Sequence, residues 1–186
     1  MNRVFLAALL LASAPAFSAG LASRSADTWD PREPDLEGLY AALGGGGGLV
    51  FAPGDNAFGY DGEVRVGYSF GPKLQIYLSG AMDVASFSGD SIHTEQISAF
   101  LQYHLLVRGP VMVYGRAGFG VGLSTDVVPG RTAAGFAQAG GIGVEIRVAP
   151  NLFVAPEIFY RHAYLSAGGA DTRIQTVGLQ FSVVYY

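Results

Sequence analysis

TVGLQFSVVYY, residues 176–186, alternates apolar with small or polar residues and ends in aromatics. In an extended chain Val177, Leu179, Phe181, Val183 and Tyr185 share one face, and Thr176, Gly178, Gln180 and Ser182 share the other. One face is greasy and the other small or polar. A tilted strand crosses a bilayer in roughly 9–11 residues, which suits this stretch. It is expected to be the closing strand of a membrane barrel.

The same period recurs upstream. Eight alternating segments run over about 38–48, 60–70, 73–84, 95–106, 111–122, 134–148, 152–162 and 174–186. In the second, Val64, Val66, Tyr68 and Phe70 oppose Glu63, Arg65, Gly67 and Ser69. In the fourth, Ile97, Ala99, Leu101, Tyr103 and Leu105 oppose Gln96, Ser98, Phe100, Gln102 and His104. The connections alternate in length. Gly71-Pro72, Gly109-Pro110 and Pro150-Asn151 mark tight turns, whereas 51–59, 85–94, 123–133 and 163–173 read as long loops. Short turns on one side and long loops on the other is the plan of an outer-membrane barrel, with both termini on the short-turn, periplasmic side. The fold class is therefore all-β: an eight-stranded antiparallel up-and-down transmembrane barrel.

Alternation alone leaves open which face is outside. Three observations favour apolar-out over the lipocalin-like reverse. The polar face carries little charge for a surface meeting water. Its glycines and serines suit the narrow interior of an eight-stranded barrel. Aromatics gather near strand ends, with Tyr68, Phe70, Tyr103 and Tyr185 at one rim and Tyr60, Phe136, Tyr160 and Tyr164 toward the other, as membrane girdles do. Two places break the pattern. Pro156 interrupts the seventh strand, where a bulge is expected, and Gln138 falls on the lipid face.

Composition agrees. Charged residues are 14% of the chain and glycine occurs 27 times. No cysteine is present, so neither disulfides nor thiolate metal sites arise. The net charge of −4 argues against nucleic acid as a partner. At the N-terminus Arg3, the apolar run 4–11 and the small residues 14–20 read as a secretory signal over 1–20, too short to span a membrane as a helix. Residues 21–37, polar and proline-bearing, are expected to form a periplasmic leader, and 38–186 the barrel.

These residues support a resemblance. The tail Thr176-x-Gly178-x-x-Phe181-x-Val183 is similar to the assembly signal that outer-membrane barrels present to their insertion machinery, with Tyr185 and Tyr186 where the family usually ends in Phe. The runs 114–120 (YGRAGFG), 140–147 (GGIGVEIR) and 38–44 (GLYAALG) look like strands of the small eight-stranded outer-membrane β-barrel proteins, the porin-like and opacity-type surface proteins. The resemblance implies a monomer in the outer membrane of a Gram-negative bacterium. It also implies outer-membrane lipid and lipopolysaccharide as surroundings, and the insertion machinery as a partner during assembly.

Charge on the lipid face is costly, so charges inside strands should point inward. Glu63, Arg65, Arg116, Glu145, Arg147, Glu157 and Arg161 all fall on the polar face. Buried charges persist when paired, so these seven are expected to form a lumen network, with Arg116 reaching Glu145, Glu157 or both. The expected role is structural or surface-interactive, with the lumen plugged and hydrated acidic loops (Asp55, Asp90, Asp126, Asp171) outside. A narrow porin-like channel is the alternative. A lipid A-modifying hydrolase comes third: the segment 161–168 loosely resembles the His/Ser region of lipid A deacylases. His162 would be the base and Ser166 the nucleophile, but the spacing of four puts them about 13 Å apart on a straight strand. His93 and His104 lack ligand-spaced companions, and the glycine run 44–48 lacks a phosphate-loop Lys-Ser/Thr. No metal or cofactor is expected.

Overall fold

A computed structural model of the chain describes residues 36–87, 90–128 and 131–186. The expected signal (1–20) and the leader up to residue 35 lie outside the described residues. The rest is eight strands: β1 (Glu37–Ala52), β2 (Asp55–Phe70), β3 (Leu74–Phe87), β4 (Asp90–Arg108), β5 (Val111–Val128), β6 (Arg131–Ala149), β7 (Leu152–Ala167) and β8 (Ala170–Tyr185). Each pairs antiparallel with its sequence neighbours, and β1 pairs with β8 to close the barrel. Following partners from Gln175 gives His162, Gln138, Phe119, Ala99, Leu78, Val66, Ala41 and finally Tyr185. The circuit returns to β8 ten residues from its start, the stagger that obliges strands in a closed barrel to tilt.

The eight strands are those expected, but they are longer, and the long loops are absent. Asp55 directly follows the turn Pro53-Gly54, and Ala170 follows Gly168-Gly169. Gly54 has φ +86°, and Gly168 and Gly169 have +59° and +86°, so glycine supplies the left-handed conformations that two-residue hairpin turns require. Only positions 88–89 and 129–130, outside the described residues, separate the other two hairpin pairs on this side. Asp55 and Asp171 are exposed; the side chains of Asp90 and Asp126 lie outside the described residues.

The upper ends of the strands read as loops in the sequence because the phase of their hydrophobicity reverses there. Along β7 the outward residues Leu152, Val154, Ile158 and Tyr160 give way to His162 and Ser166, while inward Glu157 and Arg161 give way to Ala163 and Leu165. Along β8 outward Leu179 and Val177 give way to Gln175, Arg173 and Asp171, and inward Gln180 and Thr176 to Ile174. Val50, Ala85, Phe87, Ala133, Ala163, Leu165 and Ile174 form one buried apolar cluster inside this upper part. Where hydrocarbon surrounds the barrel the apolar face is outside; above it, water surrounds the barrel and the apolar face turns in.

Pro156 causes no register shift. It stays opposite Phe181, and pairing with β6 lapses beside it but resumes unchanged at Ile146↔Val154. The missing N–H removes a rung without adding a residue. The bulges lie elsewhere, at His104/Leu106, Thr125/Val128 and Arg147/Ala149. The first lets both Leu105 and Leu106 face out, 67% and 52% exposed. Gln138 is on the outer face as its parity requires.

The girdle aromatics Tyr60, Tyr68, Phe70, Tyr103, Phe136, Tyr160 and Tyr164 are all exposed outward. Tyr185 is not: it keeps outward parity but is 8% exposed, set between its cross-strand neighbours Ala41 and Leu152. Tyr186 turns into the lumen and joins a lower apolar cluster with Leu36, Tyr40, Phe153 and others. Its ring meets Tyr40 and Phe153 edge-on at 5.4 and 5.1 Å.

Candidate functional site

Between the two apolar clusters lies a layer of charge. Glu63 on β2 is its centre. Arg116 on β5 crosses the lumen to grip it with both terminal nitrogens, at 2.7 and 2.9 Å, and its Nε donates to Glu157 on β7 at 2.7 Å. Arg65 Nη2 donates to Glu63 at 2.9 Å and to Glu157 at 3.2 Å. Arg161 donates to Asp83 at 2.8 Å, Gln180 at 3.0 Å and Glu63 at 3.2 Å, with Asp61 at 3.5 Å. Ser79 and Gln180 donate to Glu63, and Tyr114 to Glu157 at 2.6 Å. Phe100 and Phe159 lie under the guanidinium groups of Arg116 and Arg161 at 4.7 and 4.2 Å. Apart from Asp61, which is half-buried, these residues are 6% exposed or less, so the pairing meets the requirement that buried charge be compensated.

The seven expected residues divide. Five, Glu63, Arg65, Arg116, Glu157 and Arg161, make the layer. Glu145 sits below it in a second cluster. Gln102 and Tyr186 donate to its carboxylate at 2.9 and 2.6 Å, and His104 Nε2 is 3.1 Å away. Arg116 thus meets Glu157 and not Glu145. Arg147 is half-exposed at the turn below, where Nε and Nη2 donate to the Pro150 carbonyl at 3.0 and 2.6 Å. The bulge beside Arg147 and its closeness to the turn take it out of the layer.

Asp61 and Asp83 were missed, although both share parity with residues already placed inside: Asp61 with Glu63, and Asp83 with Gln75 and Ser79. The Tyr186–Glu145–Gln75 contacts had no such signal, because Gln75 Nε2 reaches the Tyr186 hydroxyl (2.7 Å) across 111 residues. Of the tail residues, Thr176 points inward and is buried, Gly178 faces the Phe159 ring, and Phe181 and Val183 face out, 68% and 50% exposed.

His162 and Ser166 share the outer face of β7, two positions apart along it with Tyr164 between them. β7 continues to Ala167, so no fold-back brings them together. Among the described residues no three His, Cys, Asp or Glu gather so as to hold a metal ion.

A closed eight-stranded antiparallel barrel, apolar outward and girdled by aromatics, defines an outer-membrane protein of the small-barrel class. Residues 4–186 match the family model for the outer membrane protein beta-barrel domain, and the chain belongs to that family. Its location is the outer membrane of a Gram-negative bacterium. Among solved structures it is similar to Neisserial surface protein A (NspA), at 16% identity and a TM-score of 0.65, covering 79% of this chain and 96% of that one. It is also similar to the outer membrane enzyme PagL, at 14% identity and a TM-score of 0.57, covering 76% and 97%. At these identities the likeness is one of fold. No curated protein matches the sequence.

Proposed function

We propose that this protein is a structural and surface-interacting component of the outer membrane whose lumen is held shut by the charge layer. The reading rests chiefly on one observation: Arg116 ties β5 to Glu63 on β2 and Glu157 on β7 across the lumen. An eight-stranded interior is just wide enough for side chains to fill, and apolar clusters lie both above and below the layer. The closed sheet leaves no edge to pair within the bilayer, which favours a monomer surrounded by lipid and delivered by the insertion machinery. The four hairpins on the side opposite the termini are the parts available to a surface partner.

The test is conductance of the refolded full chain in planar bilayers. The wild type is expected to be silent, and Arg116→Ala to show conductance steps; steady steps from the wild type would overturn the reading. They would favour a narrow channel instead, for which buried atoms without a protein partner (Arg65 Nε and Nη1, Asp83 Oδ2, Asp61 Oδ1) are places for lumen water. A lipid A hydrolase is the third reading, and deacylation abolished by Ser166→Ala would support it.

A further inference from the structure

The outer face of β6, β7 and β8 carries three aligned rows above the apolar belt. The lowest is Gln138, His162 and Gln175; the next is Phe136, Tyr164 and Arg173; the highest is Ala134, Ser166 and Asp171. The row beneath them is Gly140, Tyr160 and Val177. Hydrocarbon therefore ends on this side between Tyr160 and His162, and the rows above lie at the level of lipid headgroups. These rows belong to the end of the barrel away from both termini, which is the outer leaflet.

The arrangement within the rows is specific. Arg173 is exposed and lies 5.4 Å from the Tyr164 ring. Among the described residues it has no ion pair. His162 packs on the same Tyr164 ring with centroids 4.0 Å apart, is 5% exposed, and leaves its Nε2 without a partner in the protein. Here β1 parts from β8, since their pairing ends at Phe51↔Gln175. A cleft of about 760 Å3 opens at that place, with Phe51, Tyr164, Ser166, Arg173 and Gln175 in its wall.

We propose that this cleft binds the phosphorylated headgroup of an outer-leaflet glycolipid, the lipid A part of lipopolysaccharide. Charge complementarity and depth carry the assignment. A guanidinium held over an aromatic ring at headgroup level presents a fork suited to phosphate. Gln175 and Gln138 stand one row lower, where sugar hydroxyls and acyl-linked amides hang. The acyl chains then run down over Tyr160, Val177 and Leu49, all exposed on the lipid face. Asp171, two residues from Arg173 on the same face, opposes a second anion above the first.

Native mass spectrometry of the full chain released from detergent micelles tests this, with bisphosphorylated lipid A, dephosphorylated lipid A and phosphatidylglycerol as probes. Bisphosphorylated lipid A is expected to bind at least roughly tenfold more tightly than the other two, in keeping with a charge-assisted contact. Arg173→Gln should remove that margin, Asp171→Asn should tighten binding a few-fold, and Lys73→Gln at the opposite end should leave it unchanged. Heat-shifted gel mobility reports that each variant is folded. Equal binding of phosphatidylglycerol or dephosphorylated lipid A, an unchanged affinity in folded Arg173→Gln, or weaker binding by Asp171→Asn would each overturn the site.

Discussion

Arg116 shows how one side chain can organise a lumen. It leaves β5 among Gly115, Ala117 and Gly118, crosses the barrel interior, and donates to two buried carboxylates at once. Glu157 keeps Arg65 and Tyr114 when Arg116 is lost, and Glu63 keeps Arg65, Arg161, Ser79 and Gln180. The charge balance is still upset, because three arginines face Glu63, Glu157, Asp83 and Asp61 in the intact layer. Breaking a buried pair by removing one partner costs about 3–5 kcal/mol. Arg116→Met should therefore lower the free energy of urea-induced unfolding in micelles by an amount of that order, read by far-ultraviolet circular dichroism. A loss near zero would mean that water already screens the layer.

At the scale of the element, β1 explains the glycine run. Gly44, Gly46 and Gly48 face inward along the seam with β8. A Cβ on Gly46 would run into the Leu179 carbonyl, and one on Gly48 into the Val177 carbonyl. Both obstacles are backbone, so no rotamer change relieves them. Gly62 on β2, by contrast, has nothing within 4 Å of the place its Cβ would occupy. Gly46→Val should leave the seam unclosed and abolish the heat-shifted gel mobility of the folded barrel, while Gly62→Ala folds normally. A folded Gly46→Val protein would show that the seam has slack. In this seam the glycines let two backbones come close.

For the whole molecule the decisive property is which surface meets hydrocarbon. Leu78, Leu101 and Leu179 are 62%, 51% and 59% exposed on the outside, and Gln75 and Gln102 are fully buried within. A photoprobe confined to the bilayer core should label the first three and spare Gln75, Gln102 and Arg116. Labels on the glutamines would reverse the barrel and remove the ground for the lumen reading. The upper third is built in the opposite sense, apolar within and polar without, as a water-soluble barrel is. The extension carries the hairpins above the hydrocarbon, and the two whose turns are described end in Pro53-Gly54 and Gly168-Gly169 instead of long loops.

Much of this was legible in the residues themselves. Strand number, antiparallel order, the outward apolar belt and inward parity of Glu63, Arg65, Arg116, Glu157 and Arg161 follow from a period of two, which depends only on local backbone geometry. Parity would have placed Asp61 and Asp83 inside as well. Parity does not say which charges meet. That depends on the ten-residue stagger of the closed sheet and on bulges such as the one beside Arg147, which bring Arg161 to Asp83 across 78 residues and leave Glu145 to His104 and Tyr186. The length of the strands above the membrane was hidden for a related reason. Side-chain polarity records the solvent around a strand, and when that solvent changes from lipid to water the alternation changes phase although the strand does not end.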